Sequence, residues 1–250
     1  MSAMAEVKEK IYIYGKHALA EALASKPEVV QKVFAADGAL DSKLIEQLAA
    51  RGVGISSMKE QKGVMADAVH QGVIAVINPS KLLLSLEDFL PTLEVTPYTS
   101  LVLLDELQDP QNVGAIIRSA AAFGAAGVLV PQHNQAQITG AVVKTSAGMT
   151  FRVPLVSIGN VNQTLRQLKN KGFWIYGLDM GGNELAKETF DAPAVFVVGN
   201  EGEGIRAKTL ELCDVKLSIP MHSRTESLNA AVSAGITLYQ WSTQHQGALK

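Results

Sequence analysis

Residues 197–204, VVGNEGEG, place an apolar strand directly before a turn that contains three glycines and two glutamates. A dinucleotide-binding fingerprint would read G-x-G-x-x-G, whereas this turn reads G-N-E-G-E-G, and its carboxylates would repel a pyrophosphate. The turn therefore favours a ligand that is cationic or rich in hydrogen-bond donors, such as an adenosine with its ribose hydroxyls, an ammonium or a sulfonium. A glycine-rich turn with solvated glutamates and no ligand is the alternative.

Five apolar runs around this turn are typical of strands that are buried on both faces. They cover residues 101–104, 127–130, 174–178, 195–198 and 215–219. Helical patterns lie between most of them, at residues 113–123, 161–170, 207–212 and 228–241. The alternation predicts an α/β fold with a parallel sheet and helices on both faces, in which ligands bind at the carboxyl ends of the strands.

The first third of the chain has the pattern of a separate small α/β unit. Its predicted strands cover residues 11–14, 29–35 and 72–77, and its predicted helices cover residues 16–25 and 43–50. Three prolines and scattered Ser and Thr residues loosen the pattern over residues 79–99, around one helical stretch near residues 86–90. We therefore predict a small domain over residues 1–78, a linker over 79–99 and a larger domain over 100–250.

The composition is that of a globular protein from a reducing compartment. The 250 residues are 47% hydrophobic, and the net charge of −2 gives no sign of nucleic acid, although a local basic face could still exist. The single cysteine, Cys213, lies in an apolar run, which predicts a buried side chain, no disulfide and no cysteine-based metal site. The N-terminus lacks a signal-peptide core, and no run approaches the ~18 apolar residues that span a bilayer, so we expect a cytoplasmic protein without a membrane segment or a metal.

Polar residues follow the strand predicted at residues 101–104. Asn112 could cap the next helix, and Arg118 lies farther along that helix among apolar neighbours. This is an unusual setting for a charge that only adds solubility, and it makes Arg118 a candidate functional residue. A helix cap and a surface arginine are the alternative interpretation.

Polar residues also follow the strand predicted at residues 215–219. Ser227 is a candidate N-cap for the last helix, and Asn229 would lie in the first turn of that helix, near the end of the loop. His222 lies in the same loop, but a lone loop histidine is more typical of a solvent-facing residue than of an acid–base catalyst.

Three segments, in chain order and each after a predicted strand, carry the pattern of a known family. They are N-x-G-x-x-x-R at residues 112–118, GNEGEGIR at residues 199–206 and IPMHSRTESLNAAVSAGI at residues 219–236. Together they resemble the SpoU (TrmH-type) RNA ribose 2′-O-methyltransferases of the SPOUT superfamily, over roughly residues 101–244. Residues 13–23, IYGKHALAEAL, and residues 70–77, HQGVIAVI, resemble more loosely the small RNA-binding domain that many members carry.

The resemblance implies a C-terminal trefoil knot that binds S-adenosylmethionine, and a homodimer whose RNA site is built partly across the interface. In this family the glycine-rich turn forms part of the cofactor pocket, where a cationic methyl donor tolerates glutamates that would repel a phosphate. The cofactor-binding residues that the resemblance implies are Gly199, Asn200, Gly202, Ile219, Met221, Leu228 and Leu178.

The implied reaction is attack of a ribose 2′-oxygen on the sulfonium methyl group, with Arg118 as the main catalytic residue. Some family schemes make this arginine the base, but a guanidinium is a poor base near neutral pH. An electrostatic clamp on the phosphate and on the developing alkoxide is the role that we prefer. Glu201 could accept the proton or order the loop. The residues that would position the reacting groups are Asn112, Glu201, Ser227 and Asn229.

An RNA substrate requires local positive charge. The candidate RNA contacts are Lys16, His17, Lys32, Lys62, Lys144, Arg152, Arg206 and Arg224. The extra N-terminal domain favours a guanosine of 23S ribosomal RNA as the substrate, with transfer RNA as the alternative. A non-catalytic RNA-binding protein and a small-molecule enzyme with a nucleotide cofactor are rival hypotheses. The intact motif residues argue against the first, and the absent G-x-G-x-x-G argues against the second.

Overall fold

The computed structural model describes residues 10–60 and 71–249, which form two compact units. The small unit comprises the chain up to Leu82 together with Ile138–Arg152, and the large unit comprises Leu83–Gln137 and the chain from Val153 onward. The sequence did not predict that Ile138–Arg152 would join the small unit. Lys62 and His70, which the sequence analysis named, lie outside the described residues.

The strands and helices follow one another in alternation along most of the chain. The strands are β1 Ile11–Tyr14, β2 Val30–Ala35, β3 Ile55–Ser57, β4 Val73–Ile77, β5 Leu83–Ser85, β6 Ser100–Asp105, β7 Gly127–Pro131, β8 Leu155–Ile158, β9 Trp174–Glu184, β10 Ala194–Gly199 and β11 Val215–Ser218. The α-helices are α1 Lys16–Ser25, α2 Ser42–Ala49, α3 Pro79–Leu82, α4 Leu86–Phe89, α5 Pro110–Ala122, α6 Gly140–Thr145, α7 Val161–Lys169, α8 Ala207–Leu210 and α9 Ala230–Gln244. Short 3-10 helices lie at Pro27–Val29, Met58–Glu60, Leu90–Thr92, Met149–Phe151, Leu185–Lys187 and Gln246–Leu249.

The small unit is built on a four-stranded sheet in the order β1–β4–β2–β3. The strand β4 pairs antiparallel with β1 and β2, and β2 pairs parallel with β3. Asp41 caps α2 by accepting a hydrogen bond from the backbone amide of Leu44 at 2.9 Å. A sheet with both parallel and antiparallel pairs, accompanied by helices, therefore forms in the part of the chain that the sequence assigned to a separate small unit.

The large unit is built on a seven-stranded sheet in the order β11–β9–β10–β6–β7–β8–β5. Every neighbouring pair in it is parallel, so the predicted parallel sheet is confirmed. The sequence missed β5 and β8, because β5 is a three-residue strand in the segment that looked like a linker and β8 is short and follows a proline. Residues 79–99 therefore include a strand of the large sheet.

Helices cover both faces of this sheet, as the sequence predicted. On one face, Phe89 of α4 and Leu165 of α7 pack in a buried cluster with Leu103 of β6 and its neighbours. On the other face, the ring of Trp241 in α9 meets Phe196 of β10 edge to face, with a centroid separation of 6.5 Å. Since successive strand residues point to opposite faces, β10 contributes to both layers.

The strand order reverses at β6, which lies between β7 and β10. Asp105 ends β6 and pairs in register with Gly199, the last residue of β10. The carboxyl ends of strands beside such a reversal form a crevice in which α/β proteins bind ligands. The glycine-rich turn therefore begins at the edge where a ligand is expected.

Within residues 10–60 and 71–249, no helix combines the length and the apolar character that a membrane crossing requires.

Candidate functional site

A pocket with a cavity volume of about 270 Å³ opens at the carboxyl ends of β9, β10 and β11. Its walls come from the middle of β9, from the turn after β10 and from the loop between β11 and α9. The residues that the sequence predicted for cofactor binding all lie in these walls: Gly199, Asn200, Gly202, Ile219, Met221, Leu228 and Leu178. The structure thus brings together residues from distant parts of the chain, and their binding role stays a prediction.

The wall formed by β9 depends on an irregularity in that strand. Lys216 of β11 lies opposite Gly177, but the next residue, Leu217, lies opposite Asn183, so the residues between Gly177 and Asn183 bulge out of the ladder. A Cβ atom on Gly182 would lie 2.4 Å from the carbonyl carbon of Lys216, so only glycine fits there. The bulge turns Leu178, Asp179 and Met180 into the pocket wall.

The glycine-rich turn is closed by its own backbone. Asn200 and Gly204 exchange two backbone hydrogen bonds of 2.9 and 3.0 Å, and the Oδ1 atom of Asn200 accepts from the amides of Gly202 and Glu203. A Cβ atom on Gly199 would lie 2.3 Å from the carbonyl carbon of Gly204, and Gly204 has a φ of 72°. Gly199 and Gly204 are therefore required by the turn itself.

A chain of side-chain amides links the three predicted loops. The Nδ2 group of Asn229 donates to Oδ1 of Asn112 at 2.8 Å, and the Nδ2 group of Asn112 donates to Oε1 of Glu201 at 2.9 Å. The Oδ1 atom of Asn229 is already engaged, because it accepts from the amides of Ala231 and Val232. The orientation of each amide is therefore fixed by its neighbour, and the chain ends at the carboxylate.

Two predicted helix caps were wrong. The helix α5 begins at Pro110 with Asp109 as its N-cap, so Asn112 lies inside the helix, where it is 7% exposed. Proline suits the first helical position because its missing N–H has no helical partner there. The helix α9 begins at Ala230 with Asn229 as its N-cap, and Ser227 lies before it in the pocket wall.

Glu201 accepts several hydrogen bonds from the loop that follows β6. Besides Asn112, the backbone amides of Gln108 and Asp109 donate to its two carboxylate oxygens, each at 3.2 Å. Burial alone would raise the pKa of Glu201, but the hydrogen bonds from Asn112 and from backbone amides outweigh it and lower the pKa below its usual value. A carboxylate with a lowered pKa is a weak base, which favours the loop-ordering role over proton acceptance.

Arg118 lies on the exposed side of α5, outside the pocket wall of its own chain. Its neighbour Ser119 faces Gly235 of α9, whose added Cβ atom would lie 3.4 Å from the serine hydroxyl. Among the described residues, no carboxylate pairs with the guanidinium of Arg118. The charge is therefore available to an external anion.

The candidate RNA contacts differ in whether an acid already neutralises them. Five of the candidates in the described part of the chain are exposed and have no carboxylate partner: Lys16, His17, Lys32, Lys144 and Arg224. Arg152 donates to Glu21 at 2.9 Å, and Lys32 lies 4.7 Å from the ring centroid of Phe34.

The environment of Arg206 was not anticipated. Its guanidinium is bound to Asp105 and Glu106, although the sequence suggested an RNA contact. The missed signal was an aspartate directly after a buried apolar run at the start of the first motif loop.

The fold is that of an α/β protein with a pocket at the carboxyl edge of a parallel sheet and an asparagine–glutamate network beside that pocket. The chain belongs to the SpoU rRNA methylase family, whose model matches residues 99–239. A second family model, described as RNA 2′-O ribose methyltransferase substrate binding, matches residues 12–83. The family resemblance that was inferred from three motifs is therefore confirmed.

Relatives match the chain over nearly its whole length. The 23S rRNA (guanosine-2′-O-)-methyltransferase RlmB of Neisseria meningitidis is 36% identical over 95% of this chain and 96% of its own. An uncharacterized tRNA/rRNA methyltransferase of Mycobacterium avium is 35% identical over 94% of this chain and 78% of its own. The crystal structure of the SpoU methyltransferase AviRb from Streptomyces viridochromogenes with AdoMet has a TM-score of 0.76 and 26% identity, and covers 95% of this chain and 91% of that chain.

Proposed function

We propose that this protein is an S-adenosylmethionine-dependent RNA methyltransferase that methylates the ribose 2′-hydroxyl of a guanosine in 23S ribosomal RNA. The observation that carries the proposal is that the second and third family segments line one pocket and that the Asn229–Asn112–Glu201 hydrogen bonds join the first segment to it. The relatives that are named for this activity support the substrate. We also propose that the protein acts in the cytoplasm, where ribosomal RNA is modified in bacteria.

The residues of the pocket fit S-adenosylmethionine. Leu178, Ile219 and Leu228 offer apolar walls to an adenine ring, and the turn that begins at Gly199 lines the same pocket. Within the described part of the chain, Asp179 has no hydrogen-bond partner, so its carboxylate can accept hydrogen bonds from the ligand. Carboxylates in the wall suit a cofactor that supplies an electrophilic methyl group on a sulfonium.

In this mechanism the chain aligns the ribose and stabilises charge. Arg118 binds a phosphate of the RNA and stabilises the negative charge that develops on the 2′-oxygen. Glu201, held as a carboxylate by Asn112 and by the loop amides, orders the turn, and Asn229 fixes Asn112. Ser227, in the pocket wall, positions the loop backbone beside the ribose.

We propose that the protein is a homodimer that pairs through α9. Three large apolar side chains lie on successive turns of one face of that helix: Val232, Ile236 and Tyr239, with 49%, 37% and 57% exposure. Phe123, at the end of α5, meets Tyr239 edge to face at 5.8 Å. A second copy that covers this stripe would also bring in the exposed face of α5 and its Arg118, which is consistent with an RNA site shared between subunits.

Two further features of the family are part of the proposal. The segment between β11 and α9 would thread through a loop as a trefoil knot, as membership of the family implies, and it lines one pocket with the bulge of β9 and the turn after β10. The small domain, predicted over residues 1–78, would bind RNA through Lys16 and His17. Lys144 and Arg224 would add phosphate contacts, whereas Arg152 and Arg206 are engaged by carboxylates.

Methyl transfer from S-adenosylmethionine to unmodified 23S ribosomal RNA tests the proposal, with transfer RNA as the competing substrate. We expect a single 2′-O-methylguanosine in 23S ribosomal RNA, and the same position unmodified in cells that lack the protein. Arg118→Ala should lower the transfer rate by about 1000-fold and change cofactor affinity by less than about threefold. Methylation of transfer RNA alone would contradict 23S ribosomal RNA as the proposed substrate. A wild-type rate of methyl transfer in Arg118→Ala would contradict the proposed catalytic role of Arg118.

A further inference from the structure

The side chain of Asp105, at the end of β6, is wholly buried and bound by one residue. The guanidinium of Arg206 donates to its Oδ1 atom from Nη2 at 2.6 Å and from Nε at 3.0 Å. The backbone amide of Arg206 donates to Oδ2 at 3.1 Å. Both carboxylate oxygens are therefore occupied by the residue that lies just after the glycine-rich turn.

The neighbouring residue, Glu106, holds the turn at its other end. The Nδ2 group of Asn200 donates to the carbonyl oxygen of Glu106 at 2.8 Å, and the Nη1 group of Arg206 donates to its carboxylate at 2.8 Å. Asn200 begins the turn and Arg206 follows it, so residues at the end of β6 and just after it are hydrogen-bonded to both sides of the turn. The amides of Gln108 and Asp109, a few residues farther on, position Glu201 within it.

The tip of the turn has little other support. Glu201, Gly202, Glu203 and Gly204 are all exposed, and the backbone pair between Asn200 and Gly204 closes the turn without fixing it to the sheet. Burial would lower the pKa of Arg206, but its hydrogen bond and attraction to Asp105 and its attraction to Glu106 outweigh burial and raise the pKa above its usual value. The guanidinium therefore stays charged.

Asp105 is wholly buried, whereas the side chain of Arg206 is 43% exposed. An ion pair of this kind contributes little net stability, but it fixes geometry. We propose that Asp105 and Arg206 are positioning residues that hold the glycine-rich turn in the conformation that binds the cofactor, and that Arg206 is not an RNA contact. The inference rests on the proposed function, since it assigns a task within that cofactor site.

Conservative substitutions test the positioning role of Asp105 and Arg206. Asp105→Asn keeps the shape of the side chain and removes its charge. Arg206→Lys keeps the charge and removes the planar guanidinium with its several N–H donors, and Arg206→Met removes both the charge and the donors. We expect Arg206→Met and Asp105→Asn to raise the calorimetric Kd for S-adenosylhomocysteine by about tenfold, the loss typical of one charge-assisted hydrogen bond. The KM for S-adenosylmethionine should rise in parallel, kcat should fall less than about threefold, and Arg206→Lys should recover part of the loss.

The matched control is Arg166→Met, which removes an exposed arginine of α7. Both Arg→Met variants should weaken binding of a 23S ribosomal RNA fragment equally, by less than about twofold, as expected when a charge without a phosphate contact is lost. A selective loss of RNA affinity in Arg206→Met, with the cofactor Kd unchanged, would contradict the positioning role of Asp105 and Arg206. A lower kcat together with a lower melting temperature, with KM unchanged, would also contradict the positioning role. A wild-type protein that binds no S-adenosylhomocysteine would instead overturn the proposed function.

Discussion

At the scale of single residues, the site depends on which way its amide groups face. Asn229 must use its carbonyl oxygen for the first amides of α9, so only its NH₂ group remains for Asn112. Asn112 in turn has only its NH₂ group left for Glu201. A helix cap thus sets the orientation of a carboxylate in the ligand pocket, far away along the chain.

Asn112→Asp tests this chain of amides. The new carboxylate would face Glu201 without a donor between them, and two like charges at hydrogen-bond distance oppose ionisation of both. We expect kcat/KM for methyl transfer to fall by about 100-fold at pH 7, the cost of a lost hydrogen bond plus an unpaired charge. Asn170→Asp, at the exposed C-terminal end of α7, makes the same charge change and should retain normal activity. Equal activity of the two variants would contradict the role of Asn112.

The lowered pKa of Glu201 predicts how its contribution to stability depends on pH. A carboxylate whose folded pKa is lowered stabilises the fold fully above its unfolded value of about 4.3, and this contribution is lost as the pH falls through the lower folded value. Urea unfolding of wild type and Glu201→Gln should therefore differ most at neutral pH and converge in acid. A difference in the free energy of unfolding that grows below pH ~4 would contradict the hydrogen-bonded carboxylate.

At the scale of elements, the sequence predicted the strands that form long apolar runs. It missed two short strands of the large sheet and the residues that cap two helices. The long apolar runs identified β6, β7, β9 and β10, whose buried residues face both sides of the sheet. The run at residues 215–219 also identified β11, but this edge strand is not buried on both faces as predicted, since only Leu217 in it is buried. The strands β5 and β8 are too short for periodicity to separate them from loops. The caps at Asp109 and Asn229 could not be chosen from sequence, because other capping residues lie within a few positions of each and only the three-dimensional partners decide between them.

Most of the candidate site was nevertheless predictable. The residues of the glycine-rich turn and of the loop before α9 converge because parallel strands bring their carboxyl ends to one edge of the sheet. The Asp105–Arg206 pair was not predictable, because the partners are distant in sequence and each has another ordinary interpretation when read alone. The bulge of β9 was missed for a related reason: glycines in a strand signal an irregularity but do not define its register.

The bulge of β9 can be tested with two adjacent glycines. Gly182→Ala would place a methyl group 2.4 Å from the carbonyl carbon of Lys216, so β9 and β11 would have to separate. We expect a loss of about 1–3 kcal/mol in the free energy of unfolding, as for other overpacked sites, and weaker cofactor binding. In Gly181→Ala the nearest atom, Oδ2 of Asp179, would lie at 3.4 Å, so this control should behave as wild type. Equal behaviour of both variants would contradict the bulged register.

At the scale of the whole molecule, the position of Arg118, the proposed catalytic residue, outside its own pocket wall and an exposed apolar stripe nearby both favour a second subunit. Neither feature is explained by the single chain, since exposed large apolar side chains in a row mark interaction surfaces. The net charge of −2 also requires RNA binding to come from a local cluster of cations rather than from the overall field.

Ile236→Asp tests the proposed pairing through α9. A charge at the centre of the apolar stripe would lose its hydration on assembly, so sedimentation velocity should show a monomer in place of a dimer. Ile45→Asp changes an isoleucine of comparable exposure on α2 and should leave the assembly unchanged. A wild-type monomer, or an Ile236→Asp protein that still dimerises, would contradict this interface.

We propose that three segments from distant parts of the chain form one binding site for a sulfonium nucleoside. Calorimetric titration of the purified protein with S-adenosylhomocysteine measures this directly, because the product shares the adenosine and the amino acid of the methyl donor. The account predicts saturable heat with about one site per chain and a Kd in the micromolar range. No heat of binding at micromolar protein, under conditions in which the protein is folded, would contradict it.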